Sequence, residues 1–235
     1  KIQFHCAGDF VKQKLVVVPN GLTIGINEPP DVPKFLPTNE PIQLLYLSSL
    51  MPSKGFFNVI KAMKILDSKF PNRYKLSICG SFVGTCTESP IEVYDKASLL
   101  KYINIQNLES TVKYYDQVKK QDKEWHFKNA HIFLLPTSYA WEGQPLSIIE
   151  AMAFSTPVIS CYHKGIPELI QSNRSGLFVK PHSVSSIVEG VTKIISNKSG
   201  FKEMSLEARR RYEKYFKREV HVNRMIRVIC HKEKV

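Results

Sequence analysis

Residues 131–161 read HIFLLPTSYAWEGQPLSIIEAMAFSTPVISC. The run HIFLL at 131–135 and the run Val158–Cys161 are short and apolar throughout, the pattern of strands buried on both faces. Between them Leu146–Ala153 reads as a helix, and Pro145 suits its first position, where a missing N–H costs nothing. A strand, a loop, a helix and a second strand in so short a stretch make a βαβ unit, the building block of a parallel sheet.

The same alternation continues in both directions. Ile42–Leu47 is a near-continuous apolar run, and from 56 to 66 the residues Phe56, Val59, Ile60, Met63 and Leu66 recur at helical spacing. Tyr74–Cys79 reads as a strand ended by Gly80, 90–103 as a helix, Val112–Tyr115 as a strand and 119–129 as a polar helix. Ser183 is placed to cap a helix with the stripe Val184, Ile187, Val188, Val191, Ile194 and Ile195. The expected fold class is therefore α/β, a parallel sheet with helices on both faces. In such sheets ligands bind at the carboxyl ends of the strands, which makes the residues after each strand the ones to inspect. A short β-branched run stands at 15–18, and the stretch 19–41, with six prolines, reads as a linker or an irregular excursion. The tail from Phe201 is strongly basic. Its last helix carries Val222, Met225, Ile226 and Ile229 as a stripe, read either as a docking face of a solvated helix or as a contact for another domain or an anionic membrane surface.

A chain of 235 residues, 43% hydrophobic and 11% aromatic, is too apolar for a disordered tail, and no apolar run reaches the ~20 residues that span a bilayer. Lys and Arg outnumber Asp and Glu by 33 to 21, a net charge of +12 that favours an anionic partner without choosing between phosphorylated small molecule, membrane and nucleic acid. The five cysteines, Cys6, Cys79, Cys86, Cys161 and Cys230, are scattered with no CxxC pair, which argues against a disulfide framework and a zinc site. The reducing cytosol fits them. There is no Asp-x-Asp and no His cluster, so no catalytic metal is expected.

Chemistry concentrates in the loop after 131–135. Glu142 stands at a strand's carboxyl end, and the free N–H groups of Leu146 and Ser147 in the helix's first turn form an anion site strengthened by the helix dipole. Glu150 follows, roughly 7–8 Å along the helix. Two carboxylates beside a phosphate repel it unless they are occupied with hydroxyls, and a carboxylate accepts well from a vicinal diol. A nucleoside diphosphate sugar satisfies all three elements: Glu150 on the ribose, the helix N–H groups on phosphate, Glu142 on the sugar. Taken alone a helical Glu reads as a solvated face, but Ile148, Ile149, Ala151 and Met152 surround Glu150 with apolar residues.

The pair Glu142 and Glu150, spaced E-x7-E, resembles the signature of retaining glycosyltransferases of the GT-B fold, in particular glycosyltransferase family 4. The similarity continues through Thr156-Pro-Val-Ile-Ser, Gly165-Ile-Pro-Glu-Leu-Ile and Ser175-Gly-Leu-Phe-Val. Pro19-Asn-Gly-Leu resembles the junction between the family's two domains, and Ser53-Lys54-Gly55 its phosphate-binding turn. The resemblance implies a Rossmann-like nucleotide-sugar-binding domain over 25–200, with 1–24 as a remnant of a first domain and the junction, and 201–235 as basic helices packing toward that first domain. It implies Glu142 and Lys54 as catalytic, and a donor site of Ser49, Lys54, Val118, Glu142, Gly143, Gln144, Pro145, Leu146, Ser147, Glu150 and His163. Val118 follows a strand where the family holds the base; His163 either touches the donor or caps the turn before Gly165. Glu168, opening a short helix, reads as structural. The chain departs from the family where Ser49 replaces an Arg and Gln144-Pro145 replaces Phe-Gly, leaving Lys54 and backbone N–H groups to hold the diphosphate.

The expected function is the donor-binding half of a glycosyltransferase that moves a sugar from a UDP- or GDP-sugar to a glycan or lipid-linked acceptor with retention. No cofactor is expected, nor nucleic acid. The expected location is the cytoplasm, with peripheral contact on the inner face of the membrane. Without its acceptor domain the chain is expected to bind a donor and not transfer sugar. The rival readings are a GT-B sugar-nucleotide epimerase, which a product assay separates, and a non-catalytic nucleotide-sugar or anionic-ligand module, for which steeply salt-dependent oligonucleotide binding would speak.

Overall fold

The computed structural model describes residues 16–22, 32–84, 86–88, 91–93 and 95–231. Six parallel strands form its sheet: β1 Ile42–Leu47, β2 Tyr74–Cys79, β5 Val112–Tyr115, β6 Ile132–Leu135, β7 Val158–Cys161 and β8 Gly176–Val179, in the order β5-β2-β1-β6-β7-β8. Leu44 stands level with Leu76 on one side and Ile132 on the other, so the central strands share one register of buried side chains.

Helices α1 Phe56–Lys69 and α2 Lys96–Ile105 carry the chain from β1 toward the β5 edge. Helices α3 Lys120–Asn129, α4 Leu146–Ala153 and α5 Ile166–Leu169 follow the connections that run the other way. Right-handed crossovers in opposite directions place these two groups on opposite faces. Helix α6 Val184–Ile195 returns against α1, and α7 Lys198–Arg211 packs on α4. Ser183 caps α6 by accepting from Ser186 N–H at 3.2 Å. A π-helical turn, Tyr212–Phe216, leads into the last helix, α8 Arg218–His231.

Two sequence expectations need correction. The helix expected over 90–103 begins at Lys96, because Asp95 and Ser98 form a capping box; before it Ile91–Val93 (β4) pairs with Cys86–Glu88 (β3) as a two-stranded ribbon. Pro145 is the N-cap of α4, with Leu146 its first helical residue. Residues 1–15, 23 and 24 of the expected junction, with Leu15 and Cys6 among them, Pro90, and residues 232–235 of the basic tail lie outside the described residues. Cys79 and Cys161 are buried thiols, pushed up to about 12 and about 11 by desolvation.

The segment Pro19-Asn-Gly-Leu is pinned to the end of the chain. Leu22 N–H donates to the Phe216 carbonyl at 3.1 Å and His221 Nδ1 to the Pro19 carbonyl at 2.8 Å. A Cβ on Gly21 would fall 2.4 Å from that of His221. The stripe of α8 does not dock on the described residues: Val222, Met225, Ile226 and Ile229 are all exposed, Ile229 by 70%.

Lys34 is buried, its ammonium donating to the carbonyls of Phe127 and Ala130 and to the Thr156 hydroxyl. Desolvation lowers its pKa from 10.5 to about 7. The neighbouring His131, held down to about 4 by burial and by the Lys34 charge, stays neutral above that. Between about pH 7 and 10.5 the unfolded chain therefore binds the extra proton at residue 34, so this group makes stability rise with pH across that window. Urea midpoints at both ends of the window should show a smaller gain for Lys34→Met than for the natural chain. Equal gains would mean that Lys34 stays protonated in the fold.

Candidate functional site

The chain leaves β1 toward β2 but leaves β6 toward β7, so the strand order reverses between β1 and β6. At such a switch point the loops diverge and leave a crevice at the carboxyl edge. After β1 comes a 3-10 turn, Pro52–Lys54, closed by Gly55 at φ 83°. A Cβ on Gly55 would approach the Pro136 carbonyl oxygen to 2.5 Å, so the turn can lie against the loop after β6 only as glycine. The Ser53 carbonyl accepts from Ser138 N–H at 2.7 Å.

This contact delivers Lys54 to Glu142. Lys54 Nζ lies 2.7 Å from Glu142 Oε2 and 4.6 Å from the centre of the Tyr139 ring, with both charged side chains largely withdrawn from water. The two expected catalytic residues thus bridge the switch point.

At the start of α4 no side chain caps the helix, and among the described residues no acceptor meets the N–H groups of Leu146 and Ser147. Gln144 is fully engaged: its Oε1 accepts from Asn20 N–H at 2.8 Å, its Nε2 donates to Glu168 Oε2 at 2.6 Å, and its carbonyl accepts from Asn20 Nδ2 at 3.1 Å. It shapes the loop. A Cβ on Gly143 would meet nothing within 4 Å, so this glycine faces open space. His163 Nε2 donates to the Tyr139 carbonyl at 2.8 Å, while its own carbonyl accepts from Ile166 N–H, so it binds two loops together and caps the turn.

Glu150 lies further along α4, its side chain 13% exposed. Lys123 Nζ of α3 donates to its Oε1 at 2.5 Å, while its Oε2 is buried with no partner. Burial pushes the Glu150 carboxyl up, opposed by the charge and hydrogen bond of Lys123. Val118 lines a cavity of about 420 Å³ at the carboxyl end of β5, with Lys96, Asp116, Asp122 and Trp125 among its walls. Ser49 is exposed, its carbonyl accepting from the Tyr46 hydroxyl at 3.2 Å. Among the described residues no group of three His, Cys, Asp or Glu side chains could hold a metal ion. None of the described helices is long and apolar enough to cross a membrane.

The sequence reading did not find Lys123, Tyr139 or the bonds from Asn20. Each of the two carboxylates has a lysine beside it.

Residues 28–219 match the family described as Glycosyl transferases group 1. The chain belongs to that family. Among the relatives, AmsK, the amylovoran biosynthesis glycosyltransferase of Erwinia amylovora, is 27% identical over 197 residues, which cover 81% of this chain and 45% of AmsK. An uncharacterised glycosyltransferase of Methanocaldococcus jannaschii is 30% identical over 183 residues, 73% of this chain and 40% of the relative. Among solved structures, HepE of Anabaena in complex with UDP superposes with a TM-score of 0.69 at 17% identity, over 82% of this chain and 49% of HepE. Sucrose-phosphate synthase of Thermosynechococcus elongatus gives 0.68 at 21%, over 84% of this chain and 46% of that one. These likenesses confirm the Rossmann-like half of a GT-B fold. The group 1 chain spans less than half the length of each of these four proteins.

Proposed function

We propose that the chain is the donor-binding half of a retaining glycosyltransferase of family 4, taking a sugar from a UDP- or GDP-sugar to a glycan or lipid-linked acceptor. The observation that carries this reading is the joint placement of Lys54, Glu142 and the open N-terminus of α4 at the β1–β6 switch point. In it, the diphosphate accepts from Leu146 and Ser147 N–H and from Lys54, which then lies between phosphate and Glu142 and neutralises both. As the sugar departs, charge builds on the leaving diphosphate, and these fixed donors stabilise it where it develops. Glu142 accepts from sugar hydroxyls, Glu150 Oε2 from the ribose, and Val118 with its cavity receives the base. Gly143 lets the sugar approach the backbone.

Family membership favours transfer over the epimerase reading, and HepE binding UDP favours a uridine donor. AmsK, named for amylovoran biosynthesis, supports a polysaccharide product. The reading places the protein in the cytoplasm with peripheral membrane contact. It needs no metal.

Thermal shift with UDP-, GDP- and ADP-sugars should pick out one nucleotide; stabilisation by none of them would sink the proposal. Calorimetry then separates the glutamates. Glu150→Gln should weaken UDP and UDP-sugar alike by ~1–3 kcal/mol, whereas Glu142→Gln should weaken only the sugar-bearing ligand. Equal losses on both ligands in both variants would reject these roles.

A further inference from the structure

Glu150 offers its ligand one oxygen and gives the other away. Ile148, Ile149, Ala151 and Met152 around it are buried, its Oε1 is taken by Lys123 Nζ at 2.5 Å, and its Oε2 is buried with no partner. Folded proteins rarely leave a buried carboxylate oxygen bare, and those that do commonly reserve it for a ligand. Lys123 reaches this place from the first turn of α3. That helix starts abruptly, with Lys119 extended and Lys120 left-handed at φ 37°, directly after Val118. One segment therefore walls the cavity beside β5 and also supplies the cation at Glu150.

We propose that Lys123 is a positioning residue: by holding Oε1 it fixes the carboxylate's rotation and presents Oε2 to the ribose diol of the nucleotide. This rests on the ribose role given to Glu150 above. Two physical effects work together. A carboxylate anchored through one oxygen loses no further rotational freedom when the other accepts a hydroxyl, so the second bond forms at lower entropic cost. Burial also favours the protonated acid, which would turn an acceptor into a donor; the Lys123 charge and hydrogen bond oppose that. Lys123 is 31% exposed against 13% for Glu150, so the lysine stays partly hydrated while the carboxylate is withdrawn.

The test uses UDP and 2′,3′-dideoxy-UDP, titrated calorimetrically into the full chain, with melting temperatures recorded for each variant. The natural chain should prefer UDP by about tenfold, the worth of one charge-assisted hydrogen bond. Lys123→Met should lose that preference by weakening UDP alone, and Lys123→Arg should restore most of it. Should Lys123→Met fail to fold, Lys123→Gln carries the same comparison. If the methionine variant keeps the preference, Lys123 is only a brace between α3 and α4; if both ligands weaken equally, it touches phosphate or supports the fold. Either result overturns the proposal. The ribose reading fails separately, and takes the proposal with it, if the natural chain or Glu150→Gln shows that the diol does not matter to Glu150. Loss of the preference in Glu150→Gln but not in Lys123→Met overturns the Lys123 role alone.

Discussion

Lys54→Ala is expected to reduce UDP affinity at least a hundredfold while leaving the affinity for uridine nearly unchanged. Its ammonium is the cation at the switch point, 2.7 Å from Glu142 and backed by the Tyr139 ring. Charge-assisted bonds to a diphosphate contribute about 1.5–3 kcal/mol each, and this one also keeps Glu142 from repelling the ligand. The same substitution strands the Glu142 carboxylate, which is 7% exposed, without its cation. Removing one partner of a buried pair costs about 3–5 kcal/mol, so the single variant should also melt earlier. The double variant Lys54→Ala with Glu142→Gln separates the two effects: it should recover the melting temperature and not the affinity. Ser49→Arg should strengthen diphosphate binding, since it returns the charge the family carries beside this turn. If nucleotide affinity ignores both Lys54→Ala and Ser49→Arg, the turn is not at the site.

Gly80→Ala should be the most damaging small substitution in the sheet. Gly80 ends β2 at φ 143°, and a Cβ there would stand 1.9 Å from the Ser48 carbonyl oxygen at the end of β1. Neither side can yield cheaply. Ser48 N–H is bonded to the Cys79 carbonyl, and Gly80 is held by its N–H to Tyr115 and by the Tyr114 hydroxyl on its carbonyl. The clash is backbone against backbone with strain added, so a loss of about 3 kcal/mol or more is expected, read from chemical denaturation. Gly143→Ala is the control, because its Cβ would meet nothing within 4 Å. It should fold normally and lose UDP-sugar affinity. A Gly80→Ala chain as stable as the natural one would show that the ends of β1 and β2 separate freely.

Five of the six sheet strands were legible because they are short, mostly apolar runs, and α1 and α6 because they carry apolar stripes; β8, Gly176–Val179, was not read as a strand. Burial imposes both patterns residue by residue. The ribbon of Cys86–Glu88 and Ile91–Val93 was not, because three-residue strands are too short to show a period. A signal was nevertheless present: Asp95 and Ser98 at capping-box spacing mark the helix start that the apolar pattern misplaced. At the site, the loop after β6 could be read because Glu142, Pro145 and Glu150 are close in sequence. Lys54 was legible from the resemblance of its turn, but its pairing with Glu142, 88 positions away, was not. Lys123 was missed because it is one of several charges on a polar helix whose facing residues depend on how α3 packs. Sequence displays charges; tertiary packing chooses the pairs.

Asn20 grips Gln144 in the loop after β6, and its neighbours Pro19 and Leu22 are gripped by His221 and Phe216 across some 200 positions of sequence. Deletion genetics on this protein will mislead anyone who equates necessity with contact. A chain cut back before His221 loses the anchor of Pro19, frees Asn20, and lets Gln144 and the backbone beside it drift. Such a truncation would disturb the loop that holds Gln144 through Pro19 and Asn20, and a variant at His221 would act the same way.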